Sequence, residues 1–291
     1  MKRILAAAIA ATSFFPLAAK ANEAALDGVL WRYEIVNGGA VIQAAEPIPG
    51  EDAQTELETL KIPADFDDVP VVAIGDGAFA ENDKISEIKI PGGVVSIGSR
   101  AFKDCRNLKS VKLPDSTTEI GDRTFSGCRA LKSVTLGANI TNIAARTFRD
   151  CRSLASIDLP ENLASIGDRA FADCAALHSV TIPRGVTNIA EWAFADCSAL
   201  AVVVFLGTEP SVGEDAFARV NADCLFRASS AEGWSVEIPG VWMGHKIIDL
   251  AIETYRRKTL IFLPMIVGAI GTIAILVLAI VLRERRSEDD E

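Results

Sequence analysis

Phenylalanine recurs at a constant interval of 23 residues through the middle of the chain. The positions are Phe79, Phe102, Phe125, Phe148, Phe171, Phe194 and Phe217. In five of these repeats a cysteine lies three residues after the phenylalanine, and a leucine lies three residues further on. A fixed period in this range is typical of a solenoid, in which each repeat forms one coil. Because one coil cannot bury its own apolar side chains, we expect stacked coils with the phenylalanines in a single interior row.

Each repeat also contains a short apolar alternation, such as Val111 and Leu113 on either side of Lys112. Alternation of period two predicts a strand with both apolar side chains facing the core. The segment I-G-x-x-A-F-x-x-C has near-helical spacing and predicts a turn or short helix on the opposite wall, with Asp122 and Asp168 as N-caps. The predicted fold class is an α/β repeat solenoid, with short parallel strands on one face and turns or short helices on the other.

Both ends of the stack need covers. Residues 22–70 are predicted to form an N-terminal cap, with a β-hairpin around Asn37-Gly38-Gly39 and one degenerate repeat strand near 57–63. The repeats are assigned to residues 71–220. A C-terminal cap and juxtamembrane segment follow at 221–255, where Trp234 and Trp242 suit a cover.

The two ends of the chain predict targeting and anchoring. Residues 1–21 read as a cleaved signal peptide, with Lys2 and Arg3 before an apolar run; an uncleaved anchor helix is the alternative. Residues 259–282 carry no charge and would span about 36 Å as a helix, enough to cross a bilayer. The alternatives are a buried core helix or a sorting signal that is removed. Retention would leave residues 283–291 as a cytoplasmic tail.

Charge is unevenly distributed along a chain of net charge −10. Residues 89–152 contain 12 basic and 5 acidic side chains, between acidic flanks. Because the net charge of the chain is negative, we predict that its partner is not a nucleic acid.

The cysteines and histidines offer little reactive chemistry. Five periodic cysteines would form a line, whereas a zinc site needs four ligands around a point, and in-register strands hold Cβ atoms too far apart for easy disulfides. A column of small buried side chains is favoured. His178 lies four residues after Cys174, but equivalent repeats carry Lys109, Lys132 or Ala155, so surface decoration is favoured over a nucleophile–base pair. We predict no catalytic residues, no metal and no cofactor.

The repeat unit IGDRAFADCAALHSVTIP, from Ile166, resembles the BspA-like leucine-rich repeat family over about Val71 to Val220. The resemblance implies a secreted or surface-displayed bacterial protein, and some members act as adhesins for host proteins, matrix proteins or other cells. The family shares neither catalytic residues nor a ligand motif, so the resemblance transfers core positions alone.

The outward positions of the strand face form the candidate binding site. They carry lysines and small hydroxyl side chains in the basic middle of the chain. The predicted ligand-binding residues are Lys89, Lys109, Ser110, Lys112, Lys132, Ser133 and Thr135. A basic patch of this kind favours an acidic protein or glycan, although the same residues could serve solubility alone.

The combined prediction is a single-pass membrane protein of the bacterial cell envelope or surface. Its extracytoplasmic solenoid binds proteins or polysaccharides for adhesion or recognition, without catalysis. The alternative is a structural envelope or stalk protein that self-associates.

Overall fold

The computed structural model describes residues 22–48, 59–230, 232–238 and 240–249. Over these ranges the chain consists of short strands and turns, and none of them forms a helix. Consequently no helix in the described ranges has the length and apolar character needed to cross a membrane. The predicted signal peptide (1–21), transmembrane segment (259–282) and tail (283–291) lie outside the described residues.

In chain order the strands are β1 (Asn22–Leu26), β2 (Val29–Val36), β3 (Gly39–Pro47), β4 (Thr59–Lys61), β5 (Asp65–Phe66), β6 (Val69–Ile74), β7 (Glu87–Lys89), β8 (Ser96–Ile97), β9 (Ser110–Lys112), β10 (Glu119–Ile120), β11 (Ser133–Thr135), β12 (Asn142–Ile143), β13 (Ser165–Ile166), β14 (Ser179–Ile182), β15 (Asn188–Ile189), β16 (Val202–Phe205), β17 (Ser211–Val212), β18 (Leu225–Ala228), β19 (Gly240–Trp242) and β20 (His245–Asp249).

The N-terminal strands form an antiparallel meander that leads into the solenoid. β2 and β3 pair around a tight turn at Asn37 and Gly38, both of which have positive φ, of 51° and 82°. Such a turn matches the twist of the flanking strands. β1 pairs with the other side of β2, and β3 pairs in parallel with β6. The ring of Tyr33 stacks on Phe66 with centroids 4.2 Å apart, which closes this end of the core.

Two parallel ladders run along the stack. The first contains the predicted V-x-L strands, ordered β4-β7-β9-β11 and then β14-β16-β18-β20, with the final hairpin strand β19 beside β20. An isolated bridge between Thr135 and Asp158 extends the first part of this ladder. The second ladder is ordered β6-β8-β10 and β12-β13-β15-β17. Apart from the six-residue β6, its strands have two residues and end at an isoleucine or, in β17, at Val212. The solenoid of stacked parallel strands is therefore confirmed, and the second ladder is an addition to the prediction.

The remaining wall of each coil is a series of turns. Two residues four positions apart have positive φ, as at Arg123 (58°) and Gly127 (78°). This geometry aims backbone N–H groups along the stack, so the N–H of Phe125 donates to the carbonyl of Thr147 in the next coil at 2.9 Å. The wall is thus held by hydrogen bonds between coils, and of the two predicted possibilities, turns or short helices, the described wall contains turns.

The predicted N-caps were wrong, because the described turn wall contains no helix to cap. Asp122 instead accepts a hydrogen bond from the backbone N–H of Ala145 in the next coil, at 3.2 Å. Asp168 forms ion pairs with Arg146 at 2.9 Å and Arg169 at 2.7 Å. Both carboxylates therefore act across or beside coils rather than along a helix.

The phenylalanine row predicted from the 23-residue period is the centre of the core. Neighbouring rings from Phe79 to Phe217 lie 5.1 to 5.6 Å apart, with their planes tilted by 13° or less. The five rings from Phe102 to Phe194 have no exposed surface. Face-to-face stacking of this kind follows from the coil spacing, which places equivalent atoms about 4.8 Å apart.

A cluster of edge-to-face aromatic rings closes the C-terminal end. Trp242 contacts Phe205 at 5.4 Å and Trp234 at 5.0 Å between ring centroids, and Phe226 packs beside them. At this end of the described residues the row of parallel rings is replaced by the edge-to-face cluster.

Glu209 ties the covering segment to the last coils. Its carboxylate accepts hydrogen bonds from the backbone and hydroxyl of Ser235 and from the indole N–H of Trp242, the last at 2.7 Å. Partial burial opposes ionisation of Glu209, but these hydrogen bonds outweigh it and hold the pKa of the carboxyl below its ordinary value. The ionised form is therefore the one that the folded cap favours.

Replacing Phe148 with alanine should remove a central ring and destabilise the stack by about 3–5 kcal/mol, because the neighbouring coils cannot close the cavity. Phe148→Leu should cost less, since more of the volume is kept. Urea denaturation of the full chain measures both changes, with the surface change Thr187→Ala as a control expected to alter stability by about 0.5 kcal/mol or less. A loss for Phe148→Ala no larger than this control would contradict the central role of the row.

The cap should depend on the charge of Glu209. A carboxyl whose pKa is lowered on folding contributes stability above its unfolded pKa of about 4.3, and this contribution is lost as the pH falls through the folded value. We therefore expect Glu209→Gln to melt below the unchanged protein at pH 7, and the difference to shrink as the pH falls below about 4.3. Tryptophan fluorescence during thermal unfolding reports the difference. A difference that persists unchanged at low pH would exclude ionisation as its source.

Candidate ligand-binding face

The structure places the seven predicted site residues on, or directly before, three adjacent strands. Lys89 lies on β7, Ser110 and Lys112 lie on β9, and Ser133 and Thr135 lie on β11. Lys109 and Lys132 directly precede β9 and β11, and the backbone N–H of Lys132 donates to the carbonyl of Lys109 at 2.9 Å. Val111 and Val134, at the centres of β9 and β11, point into the core. The residues on either side of each valine therefore face away from the core.

Register places these side chains in columns. Ser110 pairs with Ser133, and Lys89 pairs with Lys112, which in turn pairs with Thr135. Residues in one column belong to neighbouring strands and lie about 4.8 Å apart at the backbone. The repeat thus converts a separation of 23 residues in sequence into side-by-side contact on one surface.

The structure adds Lys61, which the sequence analysis missed. β4 pairs in parallel with β7, and the register places Lys61 opposite Lys89. Lys61, Lys89 and Lys112 therefore form one row across three adjacent strands, which we name the lysine row. With Lys109 and Lys132 they make the lysine face. The sequence similarity between TLKIP, from Thr59, and EIKIP, from Glu87, would have aligned Lys61 with Lys89.

The lysine face lacks the ion pairs that several arginines of the turn wall form with aspartates. All five of its lysines are exposed, and none forms an ion pair with any residue in the described part of the chain. The nearest acidic side chain by register is Glu87, opposite Ser110. Five positive charges therefore share a surface on which the register places one carboxylate among them.

The arginines that recur after the cysteines form ion pairs with aspartates of the same wall. Arg129 and Arg152 both contact Asp150, the first at 2.9 Å. Burial opposes ionisation of Asp150, but the hydrogen bonds from Arg152 and Arg129 outweigh it and lower the pKa of the carboxyl. Arg106 approaches Asp83 at 3.9 Å. These arginines are consequently less available to an external anion than the lysines are.

The strand face changes character towards its C-terminal end. The outward residues Val202 and Val204 on β16 are half-buried, and Val202 pairs in register with Leu225 on β18. Asp158 marks the change, because it follows Thr135 across the isolated bridge. The cluster of lysines therefore lies in the N-terminal half of the face, and Arg227 on β18 and Lys246 on β20 are separate basic residues towards its C-terminal end.

The cysteine column has no catalytic geometry. Cys174 has no exposed surface, and its Sγ lies 3.2 Å from the carbonyl oxygen of Phe148, whereas His178 is exposed on the strand face. Burial raises the pKa of the Cys105 and Cys197 thiols to about 12. The thiolate, which is the reactive and metal-binding form, is thus disfavoured. Within the described ranges no group of histidine, cysteine and acidic side chains is arranged to hold a metal ion.

A shallow groove of about 540 Å³ follows the second ladder rather than the lysine face. Gly75, Gly98 and Gly121 help to line it, with polar side chains that include Ser96 and Glu119. Glycine is required at Gly98 and Gly121 because a Cβ there would lie within 2.7 Å of the neighbouring coil's backbone. Its glycines are therefore explained by coil packing.

Comparisons with known proteins agree on the repeat. A family model described as BspA type leucine rich repeat region matches residues 72–222 with 6 copies. A T. pallidum leucine-rich repeat protein of known structure is 30% identical, with a TM-score of 0.56 over 63% of this chain and 83% of that one. A leucine-rich repeat protein from Eubacterium ventriosum shares the fold, with 24% identity and a TM-score of 0.55 over 68% of this chain and 50% of that one. No curated protein matches the chain.

The buried cysteines should be free and slow to react. We expect iodoacetamide at pH 8 to modify few of the 6 thiols in the folded full chain and five or six after denaturation, because burial suppresses the thiolate. Mass spectrometry before and after denaturation counts the modified residues. Finding two or more disulfides in the denatured, unreduced protein would overturn the assignment of the column as packing.

Proposed function

The chain belongs to the family of BspA-type leucine-rich repeat proteins, and from this premise we propose that it is a membrane-anchored recognition protein. Residues 259–282 would anchor it, and residues 22–255 would lie outside the cytoplasm after removal of 1–21. Its strand face would bind proteins or glycans of other cells or of the matrix. Families built on leucine-rich repeats are generally non-enzymatic, which supports binding without catalysis.

The observation that carries this proposal is the unneutralised charge of the lysine face. Like charges on neighbouring strands destabilise a fold slightly, and the turn wall shows that this chain can pair its basic residues with aspartates. A positive surface left unpaired attracts acidic partners over several ångströms and accelerates their association. The two central strands of the face, β7 and β9, are paired on both sides, so their side chains are presented on a rigid support.

The extended shape of the face favours macromolecules over small molecules. The columns cross several strands, and the lysines project from a surface rather than into an enclosed cavity. A large partner can contact several such side chains at once, and many weak contacts then add to a useful affinity. A small ligand would reach only one or two of them.

Charge reversal of the lysine face tests this function. Changing Lys109, Lys112 and Lys132 to Glu in the full chain should weaken attachment to cells or matrix by about tenfold or more, since several surface charge contacts are lost together. The matched control changes Lys84, Lys103 and Lys246 to Glu, which alters net charge equally but lies off the lysine face. Equal loss in both variants would indicate a general charge effect, and no loss in the first would remove the face from recognition.

A further inference from the structure

We propose that the lysine row binds a linear acidic polysaccharide that lies across the strands, along the axis of the solenoid. This inference rests on the proposed function and specifies the chemistry and direction of its ligand. Lys61, Lys89 and Lys112 would each meet one anionic group of successive sugar units. Lys61, which belongs to the N-terminal cap rather than to the regular repeats, would thereby be part of the site.

The direction follows from register. The three lysines occupy equivalent positions on β4, β7 and β9, so the row crosses the strands instead of following any one of them. The backbone spacing between adjacent strands is about 4.8 Å. A ligand aligned with the row meets one ammonium group per strand, whereas a ligand aligned with a strand would meet only one lysine of the row.

The row has a defined end. Thr135 continues it on β11 without a charge, and Asp158 follows across the isolated bridge with a negative charge. A polyanion lying along the row is therefore attracted over the first three strands and repelled beyond the fourth. This arrangement sets both the position and the length of the favourable segment.

A peptide fits this surface less well than a polysaccharide. Alternate side chains of an extended peptide lie about 6.7 Å apart, which does not match a spacing of about 4.8 Å between lysines. Strand addition beside β7 or β9 is closed to it, because each of these strands is paired on both sides. A peptide added at the outer edge of β4 would run parallel to the strands and so across the lysine row rather than along it. Protein interfaces are also enriched in aromatic residues and depleted of lysine, and the outward residues of β7, β9 and β11 are lysine, serine, threonine and Glu87.

The chemistry of the face suits sugars with regularly spaced acidic groups. An ammonium group is a compact charge with three donors that can turn towards a carboxylate or sulfate. The hydroxyls of Ser110 and Ser133 form the column beside the row and can both donate and accept hydrogen bonds with sugar hydroxyls. A polymer with an acidic group on every sugar ring presents a line of negative charges that can follow the line of ammonium groups.

Binding of defined polymers to the full chain in a non-ionic detergent tests the proposal. The probes are dextran sulfate, uncharged dextran of the same length, and poly-L-glutamate of matched charge, measured by biolayer interferometry at constant ionic strength. We expect dextran sulfate to bind more tightly than poly-L-glutamate and dextran not to bind. Lys61→Glu should weaken dextran sulfate binding by about tenfold, and Lys246→Glu, the matched change in the last hairpin, should leave it unchanged.

A gain of binding provides the second arm. Thr135→Lys would extend the row to a fourth strand, and we expect it to tighten dextran sulfate binding by about threefold or more. Thr181→Lys adds the same charge outside the row and should not reproduce the gain. Because both positions are exposed, neither change requires the core to rearrange.

The outcomes separate this inference from the proposed function. Tighter binding of poly-L-glutamate would overturn the polysaccharide and leave an acidic protein as the partner. Lys61→Glu without effect, alongside weakening by Lys112→Glu, would overturn the axial row while the lysine face still functions. If no polymer binds but the triple reversal still abolishes attachment to cells, the polysaccharide is wrong and recognition by the face stands.

Discussion

Every coil of this protein depends on its neighbours to exclude water from its apolar side chains. A single turn of the chain is too thin to enclose a phenylalanine, a cysteine and two aliphatic residues. Stacking places each ring from Phe102 to Phe194 between two others at 5.1 to 5.6 Å. It also places each of the five periodic cysteines against a phenylalanine carbonyl of an earlier coil. Stability is consequently shared between adjacent coils, and both ends need covers of different composition.

The same stacking determines the surface. Once the core fixes the register, residues separated by one period must lie side by side on every wall. On the turn wall this brings arginine beside aspartate, as at Arg129 and Asp150. On the strand face it brings lysine beside lysine. Conserving the interior positions of each repeat therefore leaves the outward positions free to form columns of any chemistry.

The sequence was sufficient for the parts that follow from periodicity. The phenylalanine row, the V-x-L strands and the outward position of Lys112 could be predicted. A period of two shows which side chains of a strand face the core, and a period of 23 shows which residues of successive coils lie side by side. The second ladder could not, since two residues are too few to show alternation. The turn wall was also beyond a pattern-based prediction: its alternating backbone handedness places residues such as Arg123 and Asp150 at positive φ, where propensity alone would not put them.

Lys61 illustrates why the binding surface was harder to predict than the core. Its strand lies in a worn repeat without the phenylalanine and cysteine that mark the others, so the period could not assign it a position. Pairing between β4 and β7 supplies that position, because backbone hydrogen bonds fix register even where the apolar pattern has faded. The cap thus does two things at once: it covers the first coil, and it carries the lysine row one strand beyond the recognisable repeats. The row of lysines therefore extends to a strand whose repeat no longer contains the phenylalanine and cysteine of the others.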